Sequence, residues 1–237
     1  IQVACMYNIS HPVFNSIFIT GDLLQRTNDS GLSKWEELEG YIDIDDKDII
    51  ELTKVYRQSH KMMELIQELY NHTFKSNVVF ESAYPKDENE PDPVCYRYSD
   101  EITHYNWIYE KIKSISREEI SVAIFMNNDE SVQSYYEGLC AINDSSLEFK
   151  MCFEDDAYEE YGINIVNINN IKGVEFEAVF IPDIDFLCSS KAKCKDNLLY
   201  VALSRSAGHL FLTYKDKFPE KLSFIRPLFK TEGENVL

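Results

Sequence analysis

The stretch "DNLLYVALSRSAGHLFLTY" (196–214) is apolar almost throughout, yet it contains Arg205. Leu198, Val201, Ala202 and Arg205 fall at i, i+3, i+4 and i+7, which sets the arginine on the same helical seam as three apolar residues. Gly208 is expected to stop that helix, and "HLFLTY" reads as a strand. A guanidinium held on a packed seam is a permanently charged, rigid fork of donors. Two uses are open to it: a core ion pair with a carboxylate, or a preorganised grip on anionic oxygens. Other polar residues stand beside apolar runs in a way that suits the second use. They are Gly21, Asp22 and Gln25 after "SIFIT" (16–20), Arg57 after "IIELTKVY" (49–56), and Lys172, Gly173 and Glu175 in "NNIKGVEF" (169–176). Singly, each is most simply a turn or a surface charge.

The elements that must position them alternate between strand-like and helix-like. "IIELTKVY" precedes a helix whose seam is Met62, Leu65, Ile66 and Leu69. After the Pro/Asp/Glu loop at 85–93 comes a helix with Tyr105, Ile108, Tyr109 and Ile112 on one face. "SVAIFMN" (121–127) reads as a buried strand, and the next helix shows Val132, Tyr135, Tyr136 and Leu139. "INIVNI" (163–168) and "EAVFIP" (177–182) flank a Lys-Gly turn. Such alternation predicts an α/β fold with a mostly parallel sheet covered by helices on both faces. Ligands of open parallel sheets sit beyond the carboxyl ends of the strands, so polar residues just after strands are the expected site.

Composition narrows the function classes. With 237 residues, 44% of them hydrophobic, the chain has room for one large or two smaller domains. No run of about 18 apolar residues suggests a membrane span, and no signal-peptide pattern opens the sequence. The opening "IQVACMYNIS" lacks Met and reads like mid-helix, so a piece of a longer protein is expected. Six scattered cysteines match no usual zinc spacing and fit reduced thiols in the cytoplasm. The balance of 23 basic against 41 acidic residues gives −18, which argues against a broad nucleic-acid footprint but not against a narrow basic channel. The acidic clusters at 43–48, 86–92 and 154–160 read as solvated loops or as a surface for a basic protein.

Taken in order, four stretches resemble the later motifs of superfamily 1 helicases of the UvrD/Rep class. "FITGDLLQR" (18–26) is similar to the hydrophobic-Gly-Asp-x-x-Gln motif, and "VYRQS" (55–59) to the Tyr-Arg-Ser motif. "IVNINNIKGVEFEAVFI" (165–181) resembles the stretch built around Lys-Gly-Leu-Glu-Phe. "LLYVALSRSAGHLFL" (198–212) resembles the Leu-Tyr-Val-Ala-x-Thr-Arg-Ala motif. The resemblance implies a RecA-like fold, with residues 1–40 as the tail of a first domain and 41–237 as a second. It implies ATP with Mg2+ between the two, the phosphate loop and metal ligands lying on an N-terminal half outside this sequence; no Gly-Lys pair occurs here. Arg205 is then an arginine finger, Arg57 a second γ-phosphate contact and Gln25 a sensor of that phosphate. Glu175 binds the ribose, while Lys172, Gly173, Gly21 and Asp22 belong to the nucleotide-binding motifs.

Departures from the pattern matter. Asn167 and Asn169 replace Thr and His, which puts their nucleic-acid contacts in question. Trp35 is read either as a stacking aromatic or, in a "KWEEL" helix, as a core residue. The interval from Arg57 to Lys172 leaves no space for a large inserted helical domain, which resembles compact HelD-type relatives. The implied partners are single-stranded DNA and the chain's own N-terminal RecA-like domain. An acidic surface docking RNA polymerase or another protein is the alternative.

Overall fold

The computed structural model describes residues 19–23, 32, 34–39, 41, 50, 52–115, 120–154, 156–171, 173–189 and 195–233. Strand β1 (Lys54–Val55) pairs in parallel with β2 (Glu81–Ser82) in a small sheet of its own. The main sheet contains β3 (Val94–Arg97), β4 (Val122–Met126), β5 (Phe149–Cys152), β6 (Ile163–Asn167), β7 (Phe176–Ile181), β8 (Ser206–Tyr214) and β9 (Lys230–Glu232). Among the described residues its seven strands run in the order β5-β6-β4-β7-β8-β3-β9, and every pairing is parallel. The expected α/β architecture with a parallel sheet is what the chain adopts.

Helices cover both faces, as parallel sheets require. Helix α1 (His60–Phe74) buries the expected seam of Met62, Leu65, Ile66 and Leu69. Its start is capped by Ser59, whose Oγ accepts from Met62 N, and Lys75 ends it in the left-handed conformation. Helices α2 (Glu101–Ile115) and α3 (Asp129–Ile142) pack on the other face. The short α4 (Asp185–Ser189) and α5 (Lys195–Ser204) follow β7 and share the α1 face. Alternate residues of β4 divide between the two cores: Val122, Ile124 and Met126 with α2 and α3, Ala123 and Phe125 with α1 and α5. Phe180 stacks on Phe211 at 4.4 Å across β7 and β8, and each such buried ring contributes about 1.5–3 kcal/mol.

Several expectations are corrected. Helix α5 stops at Ser204, so Arg205 is the link into β8 rather than a helical residue. Gly208 lies inside β8, where the register with β7 shifts between Phe176 and Ala178. The bulge absorbs the glycine, and the turn from helix to strand is made without it. Of "IIELTKVY", only Lys54–Val55 is strand among the described residues, and it lies outside the main sheet. The two runs that flank the Lys-Gly turn, β6 and β7, are not neighbours, because β4 lies between them. Trp35 begins a four-residue 3-10 turn that buries Leu38, while the indole is only half-buried. The acidic loop at 86–92 is solvated over Lys86–Asn89, but Glu90 turns inward and binds His60 Nδ1 at 3.1 Å and Lys61 N at 3.2 Å. Among the described residues, no helix is long and apolar enough to cross a membrane.

Candidate nucleotide-site cleft

Three loops meet at the amino ends of β7 and β8. Arg57 comes from the turn between β1 and α1, Glu175 directly precedes β7, and Arg205 directly precedes β8. Together they line a cavity of about 370 Å³, with Tyr56, Tyr200 and Ser204. The site thus lies at the opposite edge of these two strands from the one expected of open parallel sheets. The reason is the connection order: α5 returns along the sheet and delivers its last residues to the starting edge of β8.

Backbone bonds hold the loops together. Phe176 N donates to Arg205 O at 2.9 Å, joining the residue after Glu175 to the arginine. Ser59 N donates to Ala207 O at 2.9 Å. Gln58 Nε2 donates to Ser204 O at 2.9 Å and to Ser206 O at 3.3 Å, the two carbonyls that flank Arg205. Aromatic packing supports the floor, for Tyr200 meets Tyr70 and Phe74 edge-on, each at 5.9 Å.

The two arginines differ in setting. Arg205 is 5% exposed, and burial lowers its pKa against the opposing pull of Glu175, Asp22 and Tyr200. Arg57 is exposed and forms an ion pair with Glu175, which raises its pKa first through the hydrogen bond and then through charge. Burial raises the Tyr200 hydroxyl above its ordinary value, so it stays protonated. Gly173 has φ +74, the left-handed region that favours glycine, and a Cβ there would meet nothing within 4 Å. The side facing that position is open.

The remaining candidates fall elsewhere. Gln25 and Lys172 lie outside the described residues. Gly21 and Asp22 are exposed, Asp22 acts on Arg205, and Asn197 Nδ2 of α5 donates to Leu23 O at 3.4 Å. The Gly-Asp stretch therefore lies against the same junction. Trp35 sits beside Gly21, where a Cβ would be 3.4 Å from its ring. Asn167 and Asn169 are at the carboxyl edge of β6, away from the cleft. Their amides serve local structure: Asn167 Oδ1 accepts from Asn169 N, Asn167 Nδ2 donates to Asp129 at 2.8 Å, and Asn169 Nδ2 donates to Asn127 O at 3.4 Å.

Two cleft residues escaped the sequence reading. Tyr56, 59% exposed on the rim, stands next to Arg57 in the quoted "VYRQS" and was open to notice. Gln58 offers no such signal, since its role depends on a fold contact. A larger groove of about 430 Å³ lies beside edge strand β5, between Tyr136, Phe149 and Met151. It holds none of the candidate residues and no arginine, so volume alone does not mark the site.

Comparisons with known proteins bear on the fold and on one segment of the chain. Residues 162–213 match the family model of the UvrD-like helicase C-terminal domain, a segment that carries Glu175 and Arg205. The crystal structure of the C-terminal domain of a possible DNA helicase from Lactobacillus plantarum WCFS1 superposes with a TM-score of 0.57 at 15% identity. That superposition covers 74% of this chain and 98% of the other. Weaker likenesses are to the C-terminal domain of the DEAD-box protein Dbp5 (TM-score 0.42, 12% identity, 61% of this chain and 90% of that one) and to the SWI2/SNF2 ATPase core of Sulfolobus solfataricus in complex with double-stranded DNA (0.40, 13%, 59% and 31%). A search of curated proteins finds no match. Residues 162–213 are thus similar to a UvrD-like helicase C-terminal domain, and the chain shares the fold of the Lactobacillus domain.

Proposed function

We propose that this domain completes the ATP site of a superfamily 1 helicase or translocase that moves along single-stranded DNA. The observation that carries the reading is the convergence of Arg57, Glu175 and buried Arg205 on one cleft. Phosphoryl transfer spreads negative charge over the γ-phosphate oxygens, and a fixed guanidinium stabilises it without reorganising at the moment of reaction. Arg205 is suited to that task because its backbone is tied on both sides and its side chain is shielded from water. Arg57 is the second phosphate contact and Glu175 the ribose acceptor. Arg57 and Glu175 neutralise each other in an ion pair, which nucleotide entry would exchange for contacts of its own. Gln25 is assigned as the γ-phosphate sensor, and Gly21, Asp22, Lys172 and Gly173 are assigned to the nucleotide-binding motifs. Tyr56 is 59% exposed, with Lys54 Nζ 5.7 Å from its ring centroid, and is proposed to stack on a base.

Glu175 is the carboxylate lining the cavity among the described residues, and it is engaged by Arg57. The ligands for Mg2+ are therefore assigned to a preceding RecA-like domain, with residues 1–40 as its tail and 41–237 as the second domain. Closure of the two around ATP and their separation after hydrolysis would ratchet the strand. Asn167, Asn169 and Trp35 remain candidates for strand contacts.

This predicts negligible ATP hydrolysis by the 237-residue chain alone in a steady-state phosphate-release assay, and robust hydrolysis once the preceding domain is present. Turnover by the chain alone would refute the division of labour. A second reading, a HelD-like module docking RNA polymerase or another protein, draws on the net charge of −18 and the exposed Glu154, Asp156, Glu159 and Glu160. Salt-titrated binding to single-stranded DNA separates the two. Affinity of the full protein that falls steeply with salt supports the translocase; absence of binding supports protein docking.

A further inference from the structure

We infer that Gln58 is a positioning residue that sets the direction of the Arg205 guanidinium and couples it to Arg57; the inference rests on the ATP-site reading above. The side-chain amide of Gln58 reaches across from the β1–α1 turn and donates to Ser204 O at 2.9 Å and to Ser206 O at 3.3 Å. These are the carbonyls immediately before and after Arg205, at the point where the chain changes from helix to strand. A helix end leaves its last carbonyls without internal partners, and Ser204 O is one of them. Gln58 satisfies it and bridges to the first carbonyl of β8 with the same nitrogen.

The link is reinforced from two sides. Ser59 N donates to Ala207 O at 2.9 Å, and Phe176 N donates to Arg205 O at 2.9 Å. Carbonyls from 204 to 207 are thus held by the loops that carry Arg57 and Glu175. Of these bonds, the pair from Gln58 is the one made by a side chain, so it is the one a substitution can remove without altering the backbone. Gln58 is half-buried and lines the cleft, but its donors point to protein carbonyls. Its effect on chemistry therefore passes through Arg205. A movement of a reacting group by about 1 Å can cost on the order of 10²-fold in rate.

The experiment uses the full-length protein and compares Gln58→Met, which keeps length and packing but removes both donors, with Gln58→Lys, which restores a donor of similar reach. Gln58→Met is expected to lower kcat for ATP by about 10²-fold with little change in KM and in thermal midpoint, and Gln58→Lys to recover much of the loss. In an Arg205→Lys background, Gln58→Met should add nothing, since a residue acting through Arg205 has no effect once the guanidinium is gone. Full turnover in Gln58→Met, when Arg205→Ala is inactive, overturns the positioning role and leaves the site reading intact. Additive losses in the double variant overturn it as well. Full turnover in Arg205→Ala instead refutes the site reading itself.

Discussion

If the proposed site is right, Arg205→Ala in the full-length protein is expected to lower ATP turnover by about 10³–10⁵-fold, the range associated with removing an arginine finger. Substrate binding should suffer much less, because the lost interaction grows as charge develops on the transferring phosphoryl group. The fold should persist. Both backbone bonds of residue 205, from its N to Ala202 O at 3.4 Å and to its O from Phe176 N at 2.9 Å, are independent of the side chain. Arg205→Lys should recover little, since an ammonium lacks the planar fork. The rival reading, a core ion pair, predicts the reverse. Truncating one partner of a buried pair costs about 3–5 kcal/mol of stability, while turnover at saturating ATP below the melting transition would be unchanged. Measuring kcat and the thermal midpoint on the same preparation distinguishes them. Unchanged kcat with a lowered midpoint would remove Arg205 from the chemistry.

The parts of this cleft that could be read from the sequence are those whose types repeat a chemical pattern. Arg57, Glu175 and Arg205 were visible because charged residues interrupt apolar runs. Their common cleft was expected at the wrong end of the strands, because a linear reading shows which strand a residue follows and not which edge a returning helix reaches. The helical seam around Met62 and Leu69 was legible from period alone. Strand β3 was not, for "VCYR" is four residues long and sits directly after a proline-rich loop. Neither was β5, whose "FKMC" carries no clear alternation. Both are set by pairing with longer neighbours, β3 with β8 and β5 with β6. Gln58 belongs with them, since its partners lie 146 and 148 residues away.

The same limit hid His104, which replaces Tyr105 as the buried residue at the start of the α2 seam. It is 5% exposed, stacked on Tyr98 at 4.1 Å and met edge-on by Tyr135. Its Nε2 lies 2.8 Å from Thr213 Oγ1, a hydroxyl that already accepts from Asp183 N. A Thr213 hydroxyl that donates to Nε2 while accepting from Asp183 N is compatible with a neutral ring. Burial lowers the His104 pKa from 6.5 to about 4. In the unfolded chain the ring takes its proton at the ordinary value, so between these limits the unfolded state binds more protons. Stability contributed by the neutral ring is complete above pH 6.5 and is lost as pH falls towards about 4, a change on the order of 3 kcal/mol. The upper part of that window is free of the carboxylates held low by hydrogen bonds, such as Asp100 and Asp144, whose contributions are lost at lower pH. Asp185, raised by burial, acts with the opposite sign but is common to wild type and variant. Urea unfolding of the chain at intervals from pH 7 to 4.5 should therefore show stability falling with pH, and His104→Gln should flatten the curve. Parallel slopes in the two proteins would show that His104 does not govern the acid limb.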